Sequence, residues 1–231
     1  GHVVVVGDSV DRGSEVTEVL WFLYRLEDEA QAAGGRLHVL IGNHDAFAME
    51  GDDRYLHEKY RASFATMGKR YEELFSAETE FGRWFRTRNI MLKLNDVVFV
   101  HAGLHSDITK IGLSLTDIND LARSAFVHPE LEKSNKTIKW LLGSNGPLWY
   151  RGYFKEEDLS PITVADTLSY FDATTVVVGH TVVKSIEYGF DGHLIGIDTA
   201  FSKPSKVSAL LYKNGRFYQA GIDGKRRALA K

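Results

Sequence analysis

VVVVGDSVDRG, residues 3–13, decides the fold. Four successive valines read as a strand buried on both faces, and the Gly7-Asp8 that follows them opens a polar loop. Beyond the loop, Ser14 is placed to cap a helix running to about Ala33, in which Val16, Val19, Leu20, Leu23 and Leu26 recur at helical spacing as one apolar face. Gly34-Gly35 stops that helix and permits a return to a strand at Leu37 to Ile41. Strand, helix and strand predict a parallel pair joined by a right-handed crossover. Ligand-binding loops of such sheets gather at the carboxyl ends of the strands. A second polar loop, GNHD at residues 42–45, stands at that position. Because the first strand begins at once, the chain reads as starting inside its domain.

Working outward, residues 52–86 are polar, aromatic and helical in pattern, and Ile90 to Asn95 and Val97 to His101 read as strands meeting at Asn95-Asp96. Residues 115–143 and 163–172 look helical, and Thr175 to Val178 is a further buried β-branched run ending in Gly179-His180. Short strands follow at Lys184 to Tyr188, Leu194 to Ile197, Val207 to Tyr212 and Phe217 to Ala220, with Asp191-Gly192 and Asn214-Gly215 as hairpin turns. Lys225-Arg226-Arg227 reads as a solvated tail, and Trp21, Phe22 and Tyr24 as core. A two-sheet core flanked by helices accommodates both halves.

With 231 residues, 44% of them hydrophobic, the chain supports one large domain across residues 1–231. Its 28 basic and 31 acidic residues nearly cancel, which offers nucleic acid or an anionic membrane no sequence-wide attraction. There is no cysteine, which excludes disulfides, thiolate metal sites and cysteine nucleophiles. No apolar run approaches the roughly 20 residues a span requires, and no signal-peptide pattern opens the chain. The expectation is a soluble protein, cytoplasmic or periplasmic.

Four apolar strand ends deliver Asp8, Asn43, His101 and His180. Nitrogen and oxygen donors converging from separate strands suit a divalent Zn, Mn or Fe ion. In the first loop, of Asp8 and Asp11 one can ligate metal while the other orients a catalytic group, and Arg12 offers a planar fork for phosphate oxygens. His44, next to Asn43, is a natural proton donor whose tautomer a partner such as Asp11 would fix. Arg151, set among glycines and aromatics in GPLWYRGY at residues 146–153, is a candidate second phosphate clamp. His38, His57, His105, His128 and His193 lack the strand-then-glycine setting and read as structural or exposed.

Taken together, GDSVDRG, GNHD, VHAGL at residues 100–104 and Gly179-His180 resemble the metallophosphoesterases of the phosphoprotein phosphatase type, within the calcineurin-like superfamily. Residues 51–55 and 146–153 are similar to its Shewanella-like bacterial branch. The resemblance implies an α/β (α+β) fold of four layers, a central mixed β-sandwich flanked by helices. It implies two divalent metal ions, Mn, Fe or Zn: Asp8 would bridge them, and Asn43, His101 and His180 would complete one. Arg12 and Arg151 would hold phosphate, and His44, oriented by Asp11, would be the general acid.

The activity so implied is a metal-dependent phosphomonoesterase acting by in-line attack of a metal-bridging water. Its substrates would be phosphoproteins, phosphotyrosine ahead of phosphoserine or phosphothreonine. A dinucleoside polyphosphate or other small phosphoester is the alternative substrate, and a non-catalytic phosphate-binding scaffold the alternative function. Two departures from the family pattern stand out. Position 45 is Asp where the family usually has Glu. The family's first strand and its Asp-x-His motif are not among residues 1–231, so the second metal site reads as incomplete.

Overall fold

The computed structural model describes residues 1–199 and 207–230. Strand β1 (His2–Val5) leads through helix α1 (Val16–Ala32) to β2 (Arg36–Val39), and the two strands pair in parallel, His2 opposite Arg36 and Val5 opposite Val39. The crossover read from residues 3–41 is therefore present. Val16, Leu20 and Leu23 form the buried stripe of α1. Val19, Trp21 and Phe22, expected inside, lie outside this stripe and are exposed, at 42%, 53% and 51%. Successive helical residues turn by about 100°, so 21 and 22 leave the face that 16, 20 and 23 define. Trp21 instead lies against Phe81 at 4.6 Å. Nor does Ser14 cap the helix: Glu15 occupies the N-cap position without a side-chain cap, and the Ser14 hydroxyl donates to Glu15.

After β2 come α2 (Asn43–Glu50), α3 (Glu58–Met67), a 3-10 turn (Tyr71–Phe75) and α4 (Glu80–Arg86), which lead to the hairpin β3 (Met91–Leu94) and β4 (Val97–Val100). The helical stretch read across 115–143 is three helices, α5 (Leu115–Val127), α6 (Leu131–Ser134) and α7 (Lys136–Leu142). Pro129 breaks it by lacking an N–H and by restricting His128 before it, and Asn135 caps α7 by accepting from the N–H groups of Thr137 and Ile138. Two more helices follow, α8 (Gly152–Lys155) and α9 (Pro161–Ser169). Ser160 caps α9 and Pro161 opens it, so this helix starts and ends earlier than its apolar pattern suggests.

The remaining strands are β5 (Thr175–Val178), β6 (Tyr188–Gly189), β7 (Leu194–Gly196), β8 (Ser208–Lys213), β9 (Arg216–Gly221) and β10 (Arg226–Ala228). A mixed sheet has the order β3-β4-β5-β7-β6, and a second, antiparallel sheet the order β10-β9-β8. The strand read from Lys184 contracts to Tyr188–Gly189. The supposed basic tail is instead partly strand: Arg226, Arg227 and Ala228 pair with β9 although all three are exposed.

Alternation explains why β4 and β5 are apolar at every position. Val98, Val100, Val176 and Val178 face a core shared with Ile118 of α5 and Leu168 of α9, whereas Val97 and Val177 join Ile195 of β7 and Phe217 of β9 between the two sheets. This is the expected sheet-on-sheet centre with helices outside.

Candidate functional site

Parallel pairing of β1 with β2 and of β4 with β5 sends four chain exits to carboxyl ends, and the exits of β1 and β5 are tightly turned. Asp8, Asp11, Arg12 and His180 all take left-handed backbone conformations, with φ of 57°, 69°, 58° and 60°. Such φ values are uncommon outside glycine and mark positions that the surrounding structure enforces. Two glycines let the loops touch. A Cβ on Gly42 would lie 2.3 Å from Asp8 Oδ1, and one on Gly7 would lie 2.5 Å from the Gly42 nitrogen.

This packing brings Asp8, Asn43, His101 and His180 together. His101 is fully buried, and its Nδ1 lies 2.7 Å from the Val6 carbonyl, which can only accept. Nδ1 therefore carries the proton, and Nε2 presents a lone pair. Around that lone pair stand Asn43 Oδ1 at 2.9 Å, His180 Nδ1 at 3.1 Å and Asp8 Oδ1 at 3.3 Å. Burial pushes His101 below its usual pKa and takes His180 down to about 3, so both rings are neutral. His180 Nε2, in addition, is buried without a partner. Lone pairs so close repel unless a shared proton or a cation lies among them. Donors bound about 2.1 Å from one ion stand about 3 Å apart, so these residues fit a divalent metal. Among the described residues, Asp8, His101 and His180 are the group of His and carboxylate donors that comes within ligating distance.

Beside this group His44 is held from both sides. Its Nδ1 donates to Asp11 Oδ2 at 2.7 Å, and its Nε2 accepts from Arg12 Nη2 at 3.0 Å. Arginine has no acceptor, so this pairing places the imidazole proton on Nδ1. The Tyr55 ring meets His44 edge-on at 4.8 Å and lies 5.0 Å from the Arg12 guanidinium. From Tyr55 an arc of rings passes through Phe47 to Trp149, which lies 5.8 Å from His180. Arg151 closes the far side, donating to the His180 carbonyl and the Thr181 hydroxyl at 3.2 and 3.1 Å.

The structure thus gathers every residue singled out for chemistry, and it adds one. Asp45 is completely buried, and its carboxylate accepts from the backbone N–H groups of Gly42, Asp8 and Ser9 at 2.7, 2.8 and 2.9 Å. Burial and the Asp8 charge push its pKa up to about 8 against the pull of those donors. Its sequence signal was available, since an acid three residues after a helix N-cap is a capping-box pattern. Outside the site, His57 and His105 accept backbone N–H groups at helix starts, and His193 donates to the Thr174 carbonyl.

Comparison with known proteins identifies the family. Residues 2–184 match the family model described as calcineurin-like phosphoesterase. The chain is 29% identical over 211 residues to Shewanella-like protein phosphatase 1 of Plasmodium berghei, covering 85% of this chain and 56% of that protein. It therefore spans little more than half the length of that curated relative. The crystal structure of a cold-active protein-tyrosine phosphatase from a psychrophilic Shewanella superposes with a TM-score of 0.94 at 35% identity, over 100% of this chain and 70% of that one. A protein serine/threonine phosphatase of Saccharomyces cerevisiae shares the fold at 18% identity, with a TM-score of 0.60 over 95% of this chain and 63% of that one. By motif, fold and family model, the chain belongs to the calcineurin-like phosphoesterases.

Proposed function

We propose that this chain is a metal-dependent phosphomonoesterase for phosphorylated proteins, with phosphotyrosine its preferred ester. The observation that carries the reading is His44, held between Asp11 and Arg12 beside the Asp8, His101 and His180 donors. Asp8, Asn43, His101 and His180 would hold one divalent ion; a second sharing Asp8 needs further donors. The metal supplies positive charge for the phosphoryl oxygens and activation of the attacking water.

The chain's own residues do the rest. Arg12, bonded to His44, and Arg151, bonded to the His180 carbonyl, would hold the phosphate, since planar forks bind its oxygens in pairs of hydrogen bonds. Drawing Arg12 onto phosphate frees His44 Nε2, which can then carry a proton. As water attacks phosphorus in line, the ester P–O bond breaks and the departing oxygen takes the proton from Nε2. Asp11 holds the ring and stabilises its cationic form. The arc of Tyr55, Phe47 and Trp149 supports an aryl ester, because a phenyl ring can stack where an aliphatic side chain would have less to touch. The superposed Shewanella protein is a protein-tyrosine phosphatase, which supports the same preference.

The test is turnover of the manganese-loaded protein on phosphotyrosine, phosphoserine and phosphothreonine peptides and on a dinucleoside polyphosphate. Phosphotyrosine should be turned over fastest, and H44N should lose roughly 100-fold or more in kcat with little change in KM. Faster cleavage of the dinucleoside polyphosphate would overturn the substrate assignment. Unchanged kcat in H44N would overturn the acid.

A further inference from the structure

Tyr71 opens the 3-10 turn that follows α3 and is 5% exposed, packed among the rings of Tyr60, Phe64 and Phe75. Its hydroxyl is buried without a hydrogen-bond partner. Asp11 has the complementary defect: Oδ2 accepts from His44, while Oδ1 is buried and unpartnered. Buried polar atoms are nearly always satisfied, so a donor and an acceptor left open in one region invite a connection; the Ser9 hydroxyl, in the Asp11 loop, is a further open group.

Three observations place them in the same region. The turn packs on α2, the helix that carries His44. The Tyr60 ring, 6.3 Å from Tyr71, anchors the chain just beyond Asp11, where its hydroxyl meets the Ser14 carbonyl and the Thr17 N–H. Among charged groups, Asp11 acts most strongly on the Tyr71 phenol; burial and that charge push the phenol's pKa upward, so it stays a donor. No direct bond joins Tyr71 to Asp11, and a polar gap of this kind is commonly spanned by one water.

We propose that Tyr71 is a positioning residue for the proton donor: through one bridging water, its O–H supplies the second hydrogen bond to Asp11, at Oδ1. Anchored at both oxygens, the carboxylate cannot swing about its Cβ–Cγ bond, and Oδ2 stays aligned with His44 Nδ1. The inference rests on the reading of His44 as the acid.

The experiment compares wild type, Y71F, D11N, Y71F/D11N and H44N on phenyl phosphate, whose leaving group needs a proton, and on 4-nitrophenyl phosphate, whose leaving group needs it much less. Y71F should lower kcat on phenyl phosphate by about five- to tenfold, with KM unchanged and a loss of less than about twofold on 4-nitrophenyl phosphate. In the D11N background, Y71F should cause no further loss. Its melting temperature should fall modestly, since the substitution removes the bridged hydrogen bond and leaves buried Asp11 Oδ1 open. Equal losses on both substrates, additivity with D11N, a raised melting temperature or wild-type kinetics would each overturn the role. If H44N keeps its turnover on phenyl phosphate, the acid reading fails; if H44N loses it and Y71F does not discriminate, Tyr71 alone fails.

Discussion

Asp45 shows how one residue can set a site without touching substrate. Three N–H donors from two loops end on its carboxyl group, so the Asp8 loop and the Asn43 loop are pinned to one buried side chain. In D45N, one oxygen would become an NH2 facing backbone N–H groups. Donor would meet donor in a fully buried place, at a cost of roughly 3 kcal/mol. We expect D45N to melt at lower temperature and to bind manganese more weakly, by calorimetric titration; a variant with wild-type stability would remove Asp45 from this role. At this scale the sequence was most legible for residues whose chemistry is local. Asp8, Asn43, His101 and His180 each stood after an apolar run, and Asp11 and Arg12 followed Asp8 at short range. Tyr55 and Trp149 were not legible as parts of the site, because the approach of Tyr55 to His44 and of Trp149 to His180 depends on loops whose paths no periodicity encodes.

Elements were legible where one force dominated. β4 and β5, apolar on both faces, and the Gly34-Gly35 stop read directly, as did the Asn214-Gly215 hairpin, where both residues have positive φ. Elements that a partner decides were not. β10 exists because β9 offers it an edge, although its own Arg-Arg-Ala has weak strand character. Trp21 and Phe22 looked like core from composition, yet the three buried positions of α1 leave them outside. The junction of β2 with α2 yields a prediction at this scale. Gly42 is the N-cap of α2, in an extended conformation any residue can adopt, so only the close approach of Asp8 and His101 requires glycine. Gly42→Ala should therefore keep the helical signal by circular dichroism while weakening manganese affinity by at least about tenfold, as displaced ligands do. Wild-type affinity would show that the loops yield without consequence.

The whole molecule places neutral imidazoles just beyond the carboxyl ends of β4 and β5, neighbours in one sheet, and this makes its stability depend on pH. His180 drops from the usual 6.5 to about 3, and His101 is also lowered, chiefly through burial. Folded pKa values below the unfolded value mean that the unfolded chain binds more protons in between. This contribution is complete above about pH 6.5, declines as pH falls, and is exhausted near pH 3. Protons also compete with metal for the same lone pairs, so manganese should stabilise the protein at neutral pH and lose that effect on acidification. Melting curves from pH 7.5 to 4, with manganese or with chelator, separate the two terms. The imidazole contribution is read as the difference in melting temperature between chelated wild type and chelated H180N, which should shrink as pH falls below about 6.5. The raised pKa of Asp45 acts in the opposite sense in both proteins. The gap between the manganese and chelator curves should close over the same range. A gap independent of pH would mean that the bound ion is not held by the imidazoles.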